Sequence, residues 1–172
     1  MANMKKYILT GVVLGSIAAA SGGLIALTNL ITESKISKNE VEKLNNGIRN
    51  IFGEEASIRE EKEISGQKYV TYSYKVENDK NDFLGYAFKC EGSNSYGKII
   101  LIAGFDKNDN FKSLFMIKDE QTYASTLEKK YVSSLNGGGN IEDVKCGATR
   151  GAELVRDMIK DSQDLAFKLE NE

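Results

Sequence analysis

The N-terminal part of the chain carries a long apolar run followed by a helical pattern. Tyr7 to Thr32 contains no charged residue, and at about 1.5 Å rise per residue such a helix crosses a hydrocarbon core of roughly 30 Å. Beyond it, apolar side chains recur at three- and four-residue spacing, which predicts a stalk helix over 33–53 that ends at Gly53. This predicted face consists of Val41, Leu44, Ile48, Ile51 and Phe52.

Charges at the two ends of the apolar run predict its orientation. Lys5 and Lys6 precede it and Glu33 follows, so we expect residues 1–6 in the cytoplasm, a single transmembrane helix at 7–32 in the cell membrane, and residues 54–172 as an extracytoplasmic domain. The alternative is a cleaved signal peptide, with small residues at 18–20 before Ser21. The apolar run continues to Ile31, which favours an uncleaved anchor.

Small residues recur along one face of the predicted membrane helix. Gly11, Gly15, Ala19 and Gly23 are spaced every four residues, and small residues at this spacing let helices approach closely inside membranes. We expect this face to contact other membrane subunits. The alternative is that glycine is simply common in membrane helices.

The pattern then changes to β-formers. Turn-forming residues at 64–67, 92–95 and 106–110 separate runs rich in aromatic and β-branched side chains. Because no helical pattern intervenes, these runs predict an antiparallel meander. The predicted strands are 69–76, 83–90, 98–105 and 111–117, with a further strand before the first turn.

Helical periodicity returns near the C-terminus. Tyr123, Leu127, Tyr131 and Leu135 recur at four-residue spacing, and a glycine-rich loop at 136–140 follows. The last helix is predicted from a longer apolar face. That face comprises Leu154, Val155, Met158, Ile159, Leu165, Ala166 and Leu169. The predicted fold is α+β, with two helices packed on the sheet.

Composition excludes several classes of site. The chain of 172 residues has no histidine, which excludes a Ser-His-Asp triad and an imidazole base, and a zinc site is not expected. Its net charge of −2 and the lack of a basic cluster argue against a nucleic-acid partner. Cys90 and Cys146 are far apart in sequence, and spacing alone does not decide between a disulfide and two free thiols.

The most informative short segment is Asp143 to Thr149, which runs into the last helix. The small residues Gly147 and Ala148 form a turn that presents the Thr149 hydroxyl at the helix N-terminus. Unpaired N–H groups and the helix dipole make this position suitable for a phosphate. The alternative is that Thr149 only caps the helix.

Together these features resemble the RnfG/NqrC-type FMN-binding subunits of membrane redox complexes, and RnfG most closely. The segments 85–88, 96–99 and 104–106 follow the family's β-meander, and Asp143, Gly147, Ala148 and Thr149 match its D-x-x-[ST]-G-A-T sequence. The resemblance implies that a flavin transferase, using FAD and a divalent metal, joins FMN covalently to Thr149 by a phosphoester. It further implies an electron-carrying subunit, non-catalytic alone, of an ion-translocating ferredoxin:NAD-type oxidoreductase complex.

The resemblance also suggests the surroundings of the cofactor. Asp143 is expected to orient the turn or to be read by the transferase, and Lys145 and Arg150 to offset the phosphate charge. Tyr86, Tyr96 and Tyr123 are either neighbours of the flavin ring or ordinary packing residues. The residues expected at the FMN site are Thr149, Ala148, Gly147, Cys146, Asp143, Arg150, Gly97, Tyr96 and Thr122.

Three departures from the family pattern leave other functions open. Cys146 replaces the usual Ser or Thr, Gly151 replaces a common second hydroxyl residue, and residues 121–126 correspond only loosely to the family's E-T-P-G-L-G segment. One alternative is an exported flavoprotein of another extracytoplasmic electron-transfer chain. The other is a structural subunit of a membrane complex that carries no flavin.

Overall fold

The computed structural model describes residues 11, 14–16, 18 and 39–169. These residues fall into two compact units, the second of which begins at Glu42. In the first unit Gly11, residues 14–16 and Ala18 are helical, and no helix within the described ranges is both long and apolar enough to cross a membrane. Most of the predicted segment 7–32, including Ala19 and Gly23, lies outside the described residues.

The second unit is built on a five-stranded antiparallel sheet whose strands follow one another in chain order. This order confirms the predicted meander and the α+β class. The strands are β1 (Ser57–Glu63), β2 (Val70–Glu77), β3 (Phe83–Asn94), β4 (Gly97–Asp106) and β5 (Phe111–Asp119).

The turn predicted at 92–95 lies two residues later, at Ser95 and Tyr96, because β3 continues through Asn94. Gly92 pairs with Ile99 of β4, and the chain reverses only between Asn94 and Gly97. The glycine serves packing at this position rather than a turn. A Cβ on Gly92 would lie 2.5 Å from Met158 Cε, so its absence lets the last helix approach the sheet.

Both faces of the sheet are covered, as alternate side chains of β4 show. Ile100 and Ile102 belong to one core cluster, whereas Ile99, Leu101 and Phe105 belong to the other. Helices on both faces explain why this strand reads as a nearly continuous apolar run.

The first cluster is covered by α1, the helix over 39–52. Its Ile48 and Ile51 are buried as the periodicity predicted, but Val41 is 54% exposed and does not belong to the buried face. Gly47 brings the helix close to the sheet, since a Cβ there would lie 2.6 Å from Ile102 Cδ1. The helix ends at Gly53, which has a φ of 114° and donates its N–H to the Arg49 carbonyl at 2.8 Å.

The second cluster is covered by α2 (Ala124–Lys130) and α3 (Thr149–Leu169). The apolar face predicted for the last helix is buried, except that Leu169 is only partly so. The single helix predicted up to Leu135 is instead α2 followed by a 3₁₀ turn at Val132–Leu135. The hydroxyls of Ser133 and Ser134 donate to the Lys129 and Tyr131 carbonyls, which competes with regular helical bonding at this point.

The two cysteines are free and buried. Cys90 Sγ lies 3.0 Å from Ser162 Oγ on α3, and burial raises the pKa of this thiol to about 12. A thiol with so high a pKa is almost entirely protonated near neutral pH, so Cys90 acts as a packing residue rather than a nucleophile.

Candidate functional site

A cleft opens where α3 begins, beside the β3–β4 turn and the segment that leads into α2. Its volume is about 180 Å³, below the roughly 300–1,000 Å³ of pockets that enclose a drug-sized ligand. A ligand of that size would therefore lie partly outside the cleft. The lining residues are Tyr96, Gln121, Tyr123, Leu127, Gly147, Ala148, Thr149, Arg150 and Gly151.

Thr149 is the first residue of α3, and its side chain is exposed. The Ala148 carbonyl accepts the N–H groups of Gly151 and Ala152, each at 3.0 Å, so Ala148 rather than Thr149 holds the cap position. Within the described residues the Thr149 hydroxyl forms no hydrogen bond. The threonine therefore does not cap the helix, and its hydroxyl is available.

The first turn of α3 also offers backbone donors. No acceptor among the described residues meets the N–H groups of Thr149 and Arg150. Helix α3 is 21 residues long, so its dipole places partial positive charge at this end. An anion next to the Thr149 hydroxyl would find both donors and a favourable potential.

Small residues keep the turn before α3 open. Gly147 has a φ of 85°, and the nearest atom to a Cβ there would be Thr126 Cγ2 at 3.7 Å. Gly151 is buried, and a Cβ there would lie 3.0 Å from Leu127 Cδ2. Close packing of α2 on the start of α3 therefore explains why position 151 carries no larger hydroxyl residue.

A hydrogen-bond network joins the β3–β4 turn to the start of α3. Gln121 Nε2 donates to the Gly97 carbonyl at 2.5 Å and to Asn94 Oδ1 at 3.1 Å, and Asn94 Nδ2 donates to the Arg150 carbonyl at 3.1 Å. Asp119 Oδ1 accepts the backbone N–H of Gln121 at 2.8 Å. Burial raises the pKa of Asp119, against the opposing effect of this hydrogen bond.

Two tyrosines stand at the cleft. The ring centroids of Tyr96 and Tyr123 are 6.4 Å apart, and the side chains are 43% and 55% exposed. Tyr86 is placed elsewhere, where its ring packs against Phe83 and Phe88. Of the three tyrosines considered as ring neighbours, the structure brings only Tyr96 and Tyr123 to the cleft.

The charged side chains near the turn are exposed. Arg150 Nη1 lies 3.1 Å from Glu153 Oε2, whereas Asp143 and Lys145 make no hydrogen bond or ion pair with another described residue. Asp143 therefore does not orient the turn in this structure. Among the nine lining residues, Arg150 is the one with a permanent charge.

The other residues expected at the site lie beside or beneath the cleft. Cys146 is buried in the core cluster that includes α3. Gly97 adjoins the cleft through its bond to Gln121, and the Thr122 N–H donates to the Tyr96 carbonyl at 3.1 Å. Sequence reasoning missed Leu127 as a lining residue, and no motif would have singled it out.

Gln121 and Asn94 were also missed as residues of the site. The loose match of residues 121–126 to a family motif was a signal for Gln121, because that segment does line the cleft. For Asn94 the turn pattern pointed to a loop, and its bond to α3 depends on a contact between residues 56 positions apart.

Comparison with known proteins gives one family match. Residues 1–51 match the family model described as the RnfG N-terminal region. This part of the chain contains the apolar segment and α1 up to Ile51, and it ends before the sheet and the cleft. No curated protein gives a significant match. Over residues 1–51 the chain is similar to the N-terminal region of RnfG-type subunits of Rnf electron-transport complexes.

Proposed function

We propose that the chain carries FMN on Thr149, attached through the phosphate as an ester, and passes electrons within a membrane-bound, ion-translocating ferredoxin:NAD-type complex. When bound, FMN supplies one- and two-electron transfer. The RnfG-type N-terminal region supports the membership in such a complex. The cleft at the start of α3 supports the place of attachment.

The observation that carries the proposal is the state of the Thr149 side chain. It begins a long helix, its hydroxyl is exposed and unbonded among the described residues, and two neighbouring N–H groups have no acceptor. A phosphate ester at this oxygen would meet those donors, and the rest of the ligand would extend over the cleft. A helix-capping threonine would instead direct its oxygen to its own backbone.

The cleft supplies no general base for forming this ester. None of the nine residues that line it is a carboxylate, lysine or histidine, the usual general base for removing a hydroxyl proton. We propose that a flavin transferase provides it. Thr149 Oγ1 forms a bond to the phosphorus of the FMN half of FAD, the pyrophosphate bond breaks, AMP leaves, and the hydroxyl proton passes to the transferase.

The remaining residues have distinct parts in this proposal. Gly147 and Ala148 leave room for the transferase, and exposed Asp143 is a residue that it can read. Arg150 and Lys145 offset the phosphate charge, while Cys146 packs beneath the turn. Tyr96 lines the cleft and its carbonyl accepts the Thr122 hydroxyl at 3.5 Å, while the carbonyl of the adjoining Gly97 accepts the Gln121 amide.

The location and partners follow from the proposed topology. An anchor at 7–32 would place the cleft on the extracytoplasmic side, where a covalent tether keeps FMN from being lost by dilution. The face with Gly11 and Gly15 would meet other Rnf subunits in the membrane. Nothing in the described residues lies within 4 Å of a Cβ built on Gly11 or Gly15.

In-gel fluorescence tests the attachment. The full chain is expressed with an active flavin transferase, beside Thr149→Val and the control Ser125→Ala, which removes another exposed hydroxyl, on α2. The wild type and the control should give a fluorescent band under ultraviolet light, and Thr149→Val should give none. A dark wild-type band beside a flavinylated reference substrate would favour a structural subunit without flavin.

Co-purification separates the proposed complex from the alternative of an isolated exported flavoprotein. Mild detergent extraction should recover the flavinylated chain with several membrane subunits. Recovery of the flavinylated chain alone would contradict membership in the complex and leave the attachment intact.

A further inference from the structure

We propose that Gln121 is a specificity residue of the cleft, and that its Oε1 accepts a hydrogen bond from a hydroxyl of the ligand's polyol chain. This inference rests on the proposed function, in which that chain is the ribityl part of FMN on Thr149. It assigns a ligand contact to a side chain that otherwise looks only structural.

The orientation of the Gln121 amide is fixed by its neighbours. The Gly97 carbonyl can only accept, so the amide nitrogen of Gln121 must face it. The second acceptor, Asn94 Oδ1, is oriented in the same way, because Asn94 Oδ1 accepts the Tyr96 N–H at 2.8 Å and Asn94 Nδ2 donates to the Arg150 carbonyl. Both N–H groups of Gln121 are therefore used, and Oε1 is turned away from them.

The remaining oxygen is an unused acceptor in the cleft. Gln121 is only 8% exposed, and no donor among the described residues reaches its Oε1. Among the described residues, the side-chain atoms that are both fully buried and without a partner are Asp109 Oδ2 and Asp119 Oδ2. Gln121 Oε1 also has no partner but is not among them. It is therefore not fully buried, and it opens on the cleft that Gln121 lines. An unpaired acceptor at this place stabilises a ligand that supplies a donor.

The position of Oε1 selects the part of the ligand that meets it. It lies 3.4 Å from where a Cβ of Gly151 would be, and Gln121, Gly151 and Thr149 all line this one cleft at the start of α3. In FMN the polyol chain follows the phosphate directly, and the ring lies farther from the tether. An amide oxygen repels a phosphate and accepts from a hydroxyl, so the polyol chain is the matching group.

Time-resolved fluorescence anisotropy of the covalently bound flavin tests this contact on the full chain, flavinylated by the transferase. Gln121→Met removes the acceptor and keeps the side-chain length, and Gln67→Met, in the β1–β2 connection, is the matched control. We expect the ratio of mobile to ordered flavin to rise roughly fivefold in Gln121→Met. The control should behave as wild type.

A second variant separates ligand contact from support of the turn. Asn94→Ala removes a partner of the Gln121 amide but leaves Oε1 in place, so most of the flavin should stay ordered. Equal mobility in Asn94→Ala and Gln121→Met would mean that Gln121 only supports the turn, and unchanged anisotropy in Gln121→Met would mean that it makes no ligand contact. Either result would overturn the inference.

Gly151→Ala provides the test if Gln121→Met does not fold. The added methyl would lie 3.4 Å from Oε1 and 3.0 Å from Leu127 Cδ2. It would crowd the acceptor while both N–H bonds of Gln121 stay in place, so the flavin should again become mobile. Full order in this variant would contradict the proposal. Absence of covalent flavin from the wild type would instead refute the proposed function, which keeps the two failures distinguishable.

Discussion

At the scale of single residues, the β3–β4 turn depends on a glycine that admits a neighbouring backbone. Gly97 has a φ of 140°, and a Cβ there would overlap the Glu120 carbonyl oxygen. The carbonyl of Gly97 itself accepts a hydrogen bond from the Gln121 side-chain amide. Geometry at this one residue therefore holds the wall of the cleft next to Thr149.

We expect Gly97→Ala to destabilise the fold more than a glycine substitution without a close neighbour. Gly66→Ala is the matched control, because Gly66 has a φ of 90° and open space around it. The control should cost about 1–2 kcal/mol from the backbone conformation alone, and Gly97→Ala a further 1–3 kcal/mol or so from overlap. Urea unfolding followed by circular dichroism measures both, and equal costs would contradict the close approach.

A second residue-level prediction concerns pH. Glu91 lies 2.7 Å from Lys98 Nζ and 3.6 Å from Lys89 Nζ. Burial alone would raise its pKa, but the hydrogen bond from Lys98 and the two ammonium charges outweigh burial and lower the pKa. A carboxyl with a lowered folded-state pKa stabilises the protein above its unfolded-state pKa and loses this contribution as pH falls through the folded-state value.

Glu91→Gln should therefore lower the free energy of unfolding at pH 7 by up to about 1 kcal/mol, since the pair is partly exposed. The difference from wild type should shrink as pH drops below the unperturbed value of 4.5. Urea unfolding at several pH values measures this, with exposed Glu55→Gln as control. A difference that stays constant down to acid pH would contradict the ion-pair explanation.

Residue types could be predicted from sequence where chemistry and spacing act locally. The position of Thr149 at the start of a helix followed from the small-residue turn before it and the helical pattern after it. Leu127 reaches the cleft and Asn94 reaches α3 through tertiary contacts that no local spacing encodes. Gly92 shows the same limit, because a turn glycine and a packing glycine look identical in sequence and only the position of Met158 distinguishes them.

At the scale of elements, α3 is fastened to the sheet by a side chain as well as by its apolar face. Asp161 Oδ2 accepts the backbone N–H groups of Tyr69 at 2.7 Å and Val70 at 3.2 Å, where β2 begins. These two hydrogen bonds fix the position of α3 along its own axis relative to the sheet. The apolar face of the helix alone does not fix that position. The start of α3, and with it Thr149, is held in register with the β3–β4 turn.

We expect Asp161→Ala to cost about 2 kcal/mol, because it removes charge-assisted hydrogen bonds and leaves two amides without their acceptor. Asp164→Ala, an exposed position on the same helix, controls for helix propensity and should be nearly neutral. Chemical unfolding of the two variants provides the comparison. Equal stability of the two would show that packing alone holds the helix.

Helix positions were predictable from periodicity, but their lengths were less so. The face of α3 was found because seven apolar positions agree with one period. The helix predicted over Tyr123 to Leu135 breaks near Tyr131, whose hydroxyl donates to the Ile141 carbonyl, and serine hydroxyls then compete for backbone acceptors. Such a competition is not visible in an apolar pattern.

At the scale of the whole molecule, the proposed function depends on two separate parts of the chain, the N-terminal region and the cleft at the start of α3. The RnfG-type match covers residues 1–51, whereas the proposed attachment site lies at the start of α3. The first part supports the proposed membership in an Rnf complex, and the second is where the proposed FMN would be attached. The proposed topology puts the cleft on the extracytoplasmic side.

A reporter fused after Glu172 tests this topology. A phosphatase that folds only outside the cytoplasm should be active in the fusion, because the lysines before the apolar segment favour a cytoplasmic N-terminus. A fusion that moves the reporter to Lys6 is the matched control and should be inactive. Activity of a cytoplasmic reporter at the C-terminus would contradict the proposed orientation.

The central claim, one FMN bound to Thr149 by an ester, is tested most directly by intact-protein mass spectrometry of native material, with peptide mapping of the 143–153 region. The account predicts a mass increase of one FMN less one water, located on Thr149 and absent from Thr149→Val. A native chain with the mass of the bare polypeptide, or FMN located on another residue, would contradict it.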